Sequence, residues 1–284
     1  MSVSVERLGP PIQGPTAVGS DPRRLWHLAQ TLALSEFKLR FFGSVLGYLW
    51  QLVRPLLLFG VLYVVFTQVL RIGTDVELYP VALLLGIVLF TFFSEATSSA
   101  ATSLVDRESL LRKVSFPRLA VPLATVLTAL LNLGLNLIVV IVFLLAAGGE
   151  VRLSWLELPL LAAALALFAT GVGLLLSHLY VRYRDIKPIW DVLLQVIFYA
   201  SPILYPIDIV SQHSQLAAKL MMLNPFAAIV QQARHALIAP SHPSVAAVMG
   251  SDAYVLAPIA IGAAVIAIGI RSFSRGAPHV AELL

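Results

Sequence analysis

Long apolar blocks separated by short clusters of charge run through most of this chain. They fall at about 48–70, 78–99, 119–147, 156–180, 189–205 and 254–270. A helix needs about 20 apolar residues to cross hydrocarbon, so the pattern predicts six transmembrane helices, the fifth of them short. Ahead of the first block, Leu25, Leu28, Leu32 and Phe37 recur near helical spacing, with Arg23, Arg24, Lys38 and Arg40 among them. This predicts an amphipathic helix lying in the membrane surface, with an ordinary solvated helix as the alternative. Between the last two blocks, Leu216 to Leu223 and Ala227 to Ile238 read as two short helices split by Asn224-Pro225. They are expected to be a re-entrant pair that completes the fifth span, or else an exposed cap. The expected fold is an all-α integral membrane protein with six transmembrane helices, an N-terminal interface helix and short re-entrant helices between spans five and six.

The stretch from Tyr180 to Pro206 concentrates this logic. Arg182, Arg184, Asp185 and Lys187 stand at its foot, Pro188 is expected to break the backbone, and Ser201-Pro202 and Tyr205-Pro206 break its far end. Charge, then hydrocarbon, then a broken and wetter end is the order a bilayer imposes. Polar residues inside other blocks call for partners. Ser94, Glu95, Thr97, Ser98 and Ser99 favour helix packing over lipid, and Asn132 and Asn136, one turn apart, are expected to bond a neighbouring helix or else to touch substrate. Gly171 and Gly173 predict a tightly packed face, and the Gly43/Gly47 spacing permits another close approach.

Composition agrees. Of 284 residues, 59% are hydrophobic and 12% charged, against about 25% charged in soluble domains; mean hydropathy is +0.89. The Gly-, Pro- and Ser-rich residues 1–22 are expected to be a disordered cytoplasmic tail and 23–284 one transmembrane domain. The net charge of +4 comes without a basic stripe that could follow a phosphate backbone, so nucleic acid is not an expected partner. With an inside N-terminus, fifteen Lys and Arg fall on the cytoplasmic side, and only Arg71, Arg152, Lys219 and Arg234 lie outside. That bias predicts both termini in the cytoplasm.

Candidate chemistry is sparse. Cysteine is absent, the six histidines form no close metal-ligand pair, and no phosphate-binding glycine loop occurs, so no metal, cofactor or nucleotide site is expected in this chain. Glu95 reads as the one carboxylate well inside a span, too little for an ion relay. The driving force is therefore expected from a separate protein. Its docking point is the second inner loop, where Asp106, Arg107 and Glu108 open a short helix that carries Leu110 and Leu111 and ends in Arg112 and Lys113. Acids first and bases last suit the helix dipole; a solvated loop helix is the alternative.

Four segments resemble a known family. Ser35 to Pro55 (SEFKLRFFGSVLGYLWQLVRP), Tyr79 to Glu95 (YPVALLLGIVLFTFFSE), Leu110 to Pro122 (LLRKVSFPRLAVP), and Arg182 to Pro206 continuing to Asn224-Pro225 are similar to the membrane subunits of ABC-2 type transporters that export O-antigen, teichoic acid, galactan and related polymers. Arg112 stands where lysine is common in that family. The resemblance implies a homodimer in the bacterial inner membrane, bound to two copies of a separate ATPase that holds ATP and Mg, with a channel for a lipid-linked polysaccharide between the copies. It implies no catalysis in this chain. Glu108, Leu110, Leu111, Arg112, Lys113, Arg182, Arg184 and Asp185 would couple to the ATPase. Sugar rings stack on aromatic rings, which makes Tyr48, Trp50, Tyr63, Phe90, Phe92, Phe93, Phe198 and Tyr199 candidates for the channel wall, against the plainer reading of each as core or interface belt.

Two other functions stay open at this point. An ABC-2 exporter of a drug or small lipid would keep the fold and change the cargo. A membrane-embedded glycosyl- or acyl-transferase would need an acid, base or metal constellation that the sequence does not display.

Overall fold

In the computed structural model, residues 17–18, 21–41, 47–71, 76–113 and 116–279 are described. Gly43, Ser44 and Leu46 lie outside them, as do nearly all of residues 1–22 and the side chains of Tyr48, Arg112 and Lys113. Among the described residues the structure is helical, without strands. Helix α1 covers Pro22–Phe41, α2 Gly47–Tyr63, α3 Tyr79–Asp106, α4 Glu108–Lys113, α5 Ala120–Ala146 and α6 Glu157–Arg182. Then follow α7 Ile186–Ala200, α8 Ile207–His213, α9 Gln215–Met222, α10 Pro225–Leu237, α11 Val245–Met249 and α12 Leu256–Gly276. Helix α2 runs on through a π-helical stretch, Val64–Val69.

Five of these segments are long and apolar enough to cross a membrane: Leu49–Val69, Tyr79–Asp106, Ala120–Ala146, Leu153–Arg182 and Asp252–Gly276. The chain is a multi-pass, all-α membrane protein. The expected fifth span, 189–205, differs from the helix that forms. Helix α7 starts earlier and stops at Ala200, with 15 residues, because Pro202 forces Ser201 into extended backbone. At 1.5 Å per residue it is roughly 22 Å long against a hydrocarbon core of about 30 Å. It does not reach across by itself.

Helix α3 is the hub. Of its most apolar stretch 72% is buried, against 6% for the segment that contains α2. Phe93 of α3 stacks on Phe168 of α6 with centroids 5.5 Å apart and meets Phe226 of α10 at 5.1 Å. Helices α6 and α12 approach still more closely. A Cβ placed on Gly269 would lie 2.1 Å from the carbonyl oxygen of Gly171, and one on Gly171 would lie 2.6 Å from the Cα of Ile266. Within a bilayer, van der Waals packing of this kind does the work that the hydrophobic effect does in water.

The segment between α7 and α12 divides in two. Helix α10 enters the bundle, with Phe226, Val230, Ala233 and Leu237 in the main core. Helices α8, α9 and α11 form a small lobe around their own apolar cluster, including Ile207, Ala218, Met222 and Val248. Leu216 and Leu220 of α9 remain exposed. So the two short helices expected here do form, but only the second is packed into the bundle.

At the opposite end, α1 lies against α5, and its face with Leu25, Ala29 and Ala33 is buried. The backbone N–H of Leu119 donates to the carbonyl of Ala17 at 3.1 Å, which places Ala17 at the same end.

Candidate functional site

Helix α7 packs on α3 through Trp190 and Leu194, its only buried side chains. The indole N–H of Trp190 donates to the Thr97 hydroxyl at 3.0 Å, and that hydroxyl donates to the Phe93 carbonyl at 2.7 Å. Beside this contact α2, α3 and α7 enclose an open groove of about 330 Å³. Ser94 of α3 with Asp191 and Gln195 of α7 form its polar half; Phe90, one turn before Ser94 on α3, and Phe198 and Tyr199, about one turn past Gln195 on α7, form its aromatic half. Phe90 meets Phe198 edge-on at 4.8 Å, and Phe198 meets Tyr199 at 5.3 Å.

The polar half is held in place. Lys187, one turn before Asp191, grips both of its carboxylate oxygens, at 2.6 Å for Oδ2. Glu95, next to Ser94, accepts from Asn132 of α5 at 2.9 Å and from Gln51 of α2 at 3.3 Å. Asn136 donates to the Asn132 carbonyl at 2.9 Å. One amide of the pair thus bonds a neighbouring helix, while the other braces its own. Asp191, near the start of α7, lines the groove beside Ser94; the sequence alone did not single it out because charged residues surround it.

The far end of α7 is pinned by a buried cation. Arg234 of α10 is only 2% exposed; its Nη2 donates to the carbonyl of Ile203 at 2.8 Å and to that of Ala82 at 3.3 Å. The Tyr79 hydroxyl donates to the Leu204 carbonyl at 2.5 Å, and the Tyr205 hydroxyl to the Tyr199 carbonyl at 2.8 Å. The carbonyls of Tyr199, Ile203 and Leu204 lie past or at the end of a helix broken by proline, where no helical N–H reaches them, whereas that of Ala82 lies within α3. Gly86 leaves the room: a Cβ there would stand 3.1 Å from Ile203 and 3.4 Å from Arg234. Counting Arg234 as an outside loop cation did not foresee this use.

The remaining aromatic candidates separate by burial. Phe92 and Phe93 are core residues, 2% and 1% exposed, and are absent from the groove. Tyr63 stacks on Phe59 at 5.7 Å, and Trp50 is exposed near the start of α2.

Candidate coupling residues gather at the other end of the bundle. Arg182, Arg184 and Asp185 are exposed at the turn between α6 and α7, with Arg184 over the ring of Tyr180 at 5.0 Å and Arg182 over that of Tyr183 at 5.5 Å. Glu108 opens α4. Leu110 is exposed, but Leu111 turns inward into a cluster with Leu104, Phe116, Val121 and Phe273. Leu111 therefore packs inward, and among the described side chains of α4 Ser109 and Leu110 are the exposed ones.

Two ties here escaped the sequence. Arg107, between α3 and α4, is ion-paired with Glu36 of α1, and Glu36 also accepts from the Thr128 hydroxyl of α5 at 3.2 Å. Arg118, buried, donates to the carbonyl of Ala277 just past α12. The short helix α4 and the surface helix α1 are thereby linked through one pair of charges. The acid-base run Asp106-Arg107-Glu108 was legible, but its distant partner was not.

Comparisons with known proteins agree with this arrangement. The sequence model of the ABC-2 type transporter family matches residues 27–238. The O-antigen export system permease protein RfbA of Klebsiella pneumoniae is 28% identical over 207 residues, 72% of this chain and 78% of that protein. The RfbA protein of Myxococcus xanthus is 31% identical over 201 residues, 70% of this chain and 76% of its own length. The polysialic acid transport protein KpsM of Escherichia coli is 24% identical over 215 residues, covering 74% and 80% respectively. The match takes in the surface helix α1, the hub α3, the α4 junction, the broken end of α7 and the inserted helix α10, and the chain belongs to the ABC-2 type transporter family.

Proposed function

We propose that this chain is the membrane subunit of an ATP-driven exporter that moves a cell-envelope polysaccharide, carried on a lipid, from the cytoplasm to the outer face of the bacterial inner membrane. It works as a homodimer with two copies of a separate ATPase, which bind ATP and Mg, and both of its termini face the cytoplasm. The observation that carries the reading is the groove of α2, α3 and α7. Exposed aromatic faces stand above a carboxylate, an amide and a hydroxyl, a mixture suited to the apolar C–H faces and polar rims of sugar rings. Relatives named for O-antigen export and polysialic acid transport support a polymer as cargo, and the excess of Lys and Arg on one side supports the orientation.

In this reading the ATPase docks on α4 and the α6–α7 turn. Closure of the ATPase pair shifts α4, and the Arg107–Glu36 pair passes the movement to α1. The weakly packed α2 and α7 then part to open the path. Export is tested by substitution in the groove. Phe198→Ala and Tyr199→Ala should abolish surface display of the polymer while the protein still assembles; Phe198→Tyr and Tyr199→Phe should retain it. Full export by both alanine variants would remove the groove from the path.

A further inference from the structure

The charges around the groove are arranged in a way that export of a polymer does not by itself require. Asp191 is the one acidic or basic side chain among the described lining residues. The cation closest to it along α7, Lys187, is already engaged with both carboxylate oxygens. The next carboxylate, Glu95, follows Ser94 and is bonded to the amides of Asn132 and Gln51. Arg54, the cation of α2, is exposed one turn before Leu58 and outside the lining. A chain lying in the groove therefore meets ring faces, a hydroxyl, an amide and one carboxylate, and no Lys or Arg among the described lining residues.

We propose that the groove selects a glycan whose sugar chain is uncharged and turns away a polyanionic one. This rests on the reading of the groove as the polymer's path. Hydroxyls of a neutral sugar donate to Asp191 and Gln195, replacing the hydrogen bonds they leave in water, and the C–H faces settle on Phe198 and Tyr199. An acidic sugar at each repeat instead brings one anion after another past Asp191. Asp191 is half-exposed, so the repulsion is partly screened, but each anion gives up hydration on entering and no Lys or Arg among the described lining residues offers the charge-assisted bonds that would compensate. Exclusion by an unmatched charge is a common route to specificity.

The test uses the full chain in lipid nanodiscs and two soluble probes of equal length, maltoheptaose and a sialic acid heptamer, followed at low salt by saturation transfer from the protein to sugar protons. Maltoheptaose should bind and should lose its signal in Phe198→Ala. The acidic heptamer should bind at least about tenfold more weakly, the equivalent of about 1.4 kcal/mol. Asp191→Asn, which also frees Lys187, should narrow that gap, whereas Lys187→Gln, which frees Asp191 without altering the lining, should widen it. Equal or tighter binding of the sialic acid heptamer to the unaltered protein would overturn the charge selection and leave the groove as a glycan site. Binding of neither probe would overturn the groove as the path, and the selection with it.

Discussion

The guanidinium of Arg234 donates to the carbonyl of Ile203 at 2.8 Å, from a helix 31 positions further along the chain. It thereby braces the segment that follows the proline break of α7. Removing the side chain strands the buried Ile203 carbonyl, at about 1–3 kcal/mol for an acceptor left without a donor. Arg234→Met should lower the thermal stability of the purified protein and abolish export. Arg234→Lys keeps the charge but lacks the planar fork, so it should be intermediate. Unaltered melting of Arg234→Met would show that the break holds itself.

The pair formed by Arg107 and Glu36 predicts a rescue. Glu36→Arg should cut transport-coupled ATP hydrolysis several-fold by placing like charges together, with little effect on the amount of protein in the membrane. Arg107→Glu should do the same. The two changes combined should recover much of the loss, measured as stimulation of the ATPase by the membrane subunit. A double variant no better than either single one would mean that the two charges act separately.

Close contact between α6 and α12 predicts a steric failure. Gly269→Leu puts a Cβ 2.1 Å from the Gly171 carbonyl, so the helices must separate and forfeit their packing. The variant should aggregate on extraction in detergent, as judged by size-exclusion chromatography. Gly60→Leu, on α2 where a Cβ meets nothing within 4 Å, should remain monodisperse.

Acid should loosen the lobe built by α8, α9 and α11. Burial, and after it the charge on Arg234, holds the pKa of His242 below its usual 6.5, while its hydrogen bond to the Glu77 carbonyl opposes the shift. A histidine depressed in the folded state favours folding above its unfolded value near 6.5, and that contribution is lost as pH falls through the folded value. Protection factors at residues 239–249, which refer exchange to the intrinsic rate at each pH, should fall between pH 7 and pH 5, and His242→Gln should flatten the dependence. Equal protection at both values would dismiss His242 as the responsible group.

Most of the helices were legible because apolar runs in a bilayer announce themselves by length alone. The hub α3 extends seven residues past the expected end at Ser99, to Asp106, since small hydroxyl and alanine side chains carry a helix onward as readily as leucine when neighbours cover them. The polar half of the groove was partly hidden: Lys187, Asp191 and Gln195 recur every fourth position, but the first two look like ordinary interface charges until α7 is seen to begin at Ile186. Burial of Leu111 and exposure of Leu110 depend on which side of α4 faces Phe273, which no local pattern states. Arg234 and Arg118 show the same gap. A count of cations treats each as wetted, whereas carbonyls stranded by distant breaks have claimed both.

Helix α7 remains roughly 22 Å long in a barrier of about 30 Å, and its broken end is floored by α10. On the proposed route the dehydrated passage is therefore shorter than the membrane is thick, and only a few sugar units occupy it at once. The work of stripping water from the polymer then depends on those few units alone. A glycan of any length meets the same resistance per step, and its total length enters only as the number of steps.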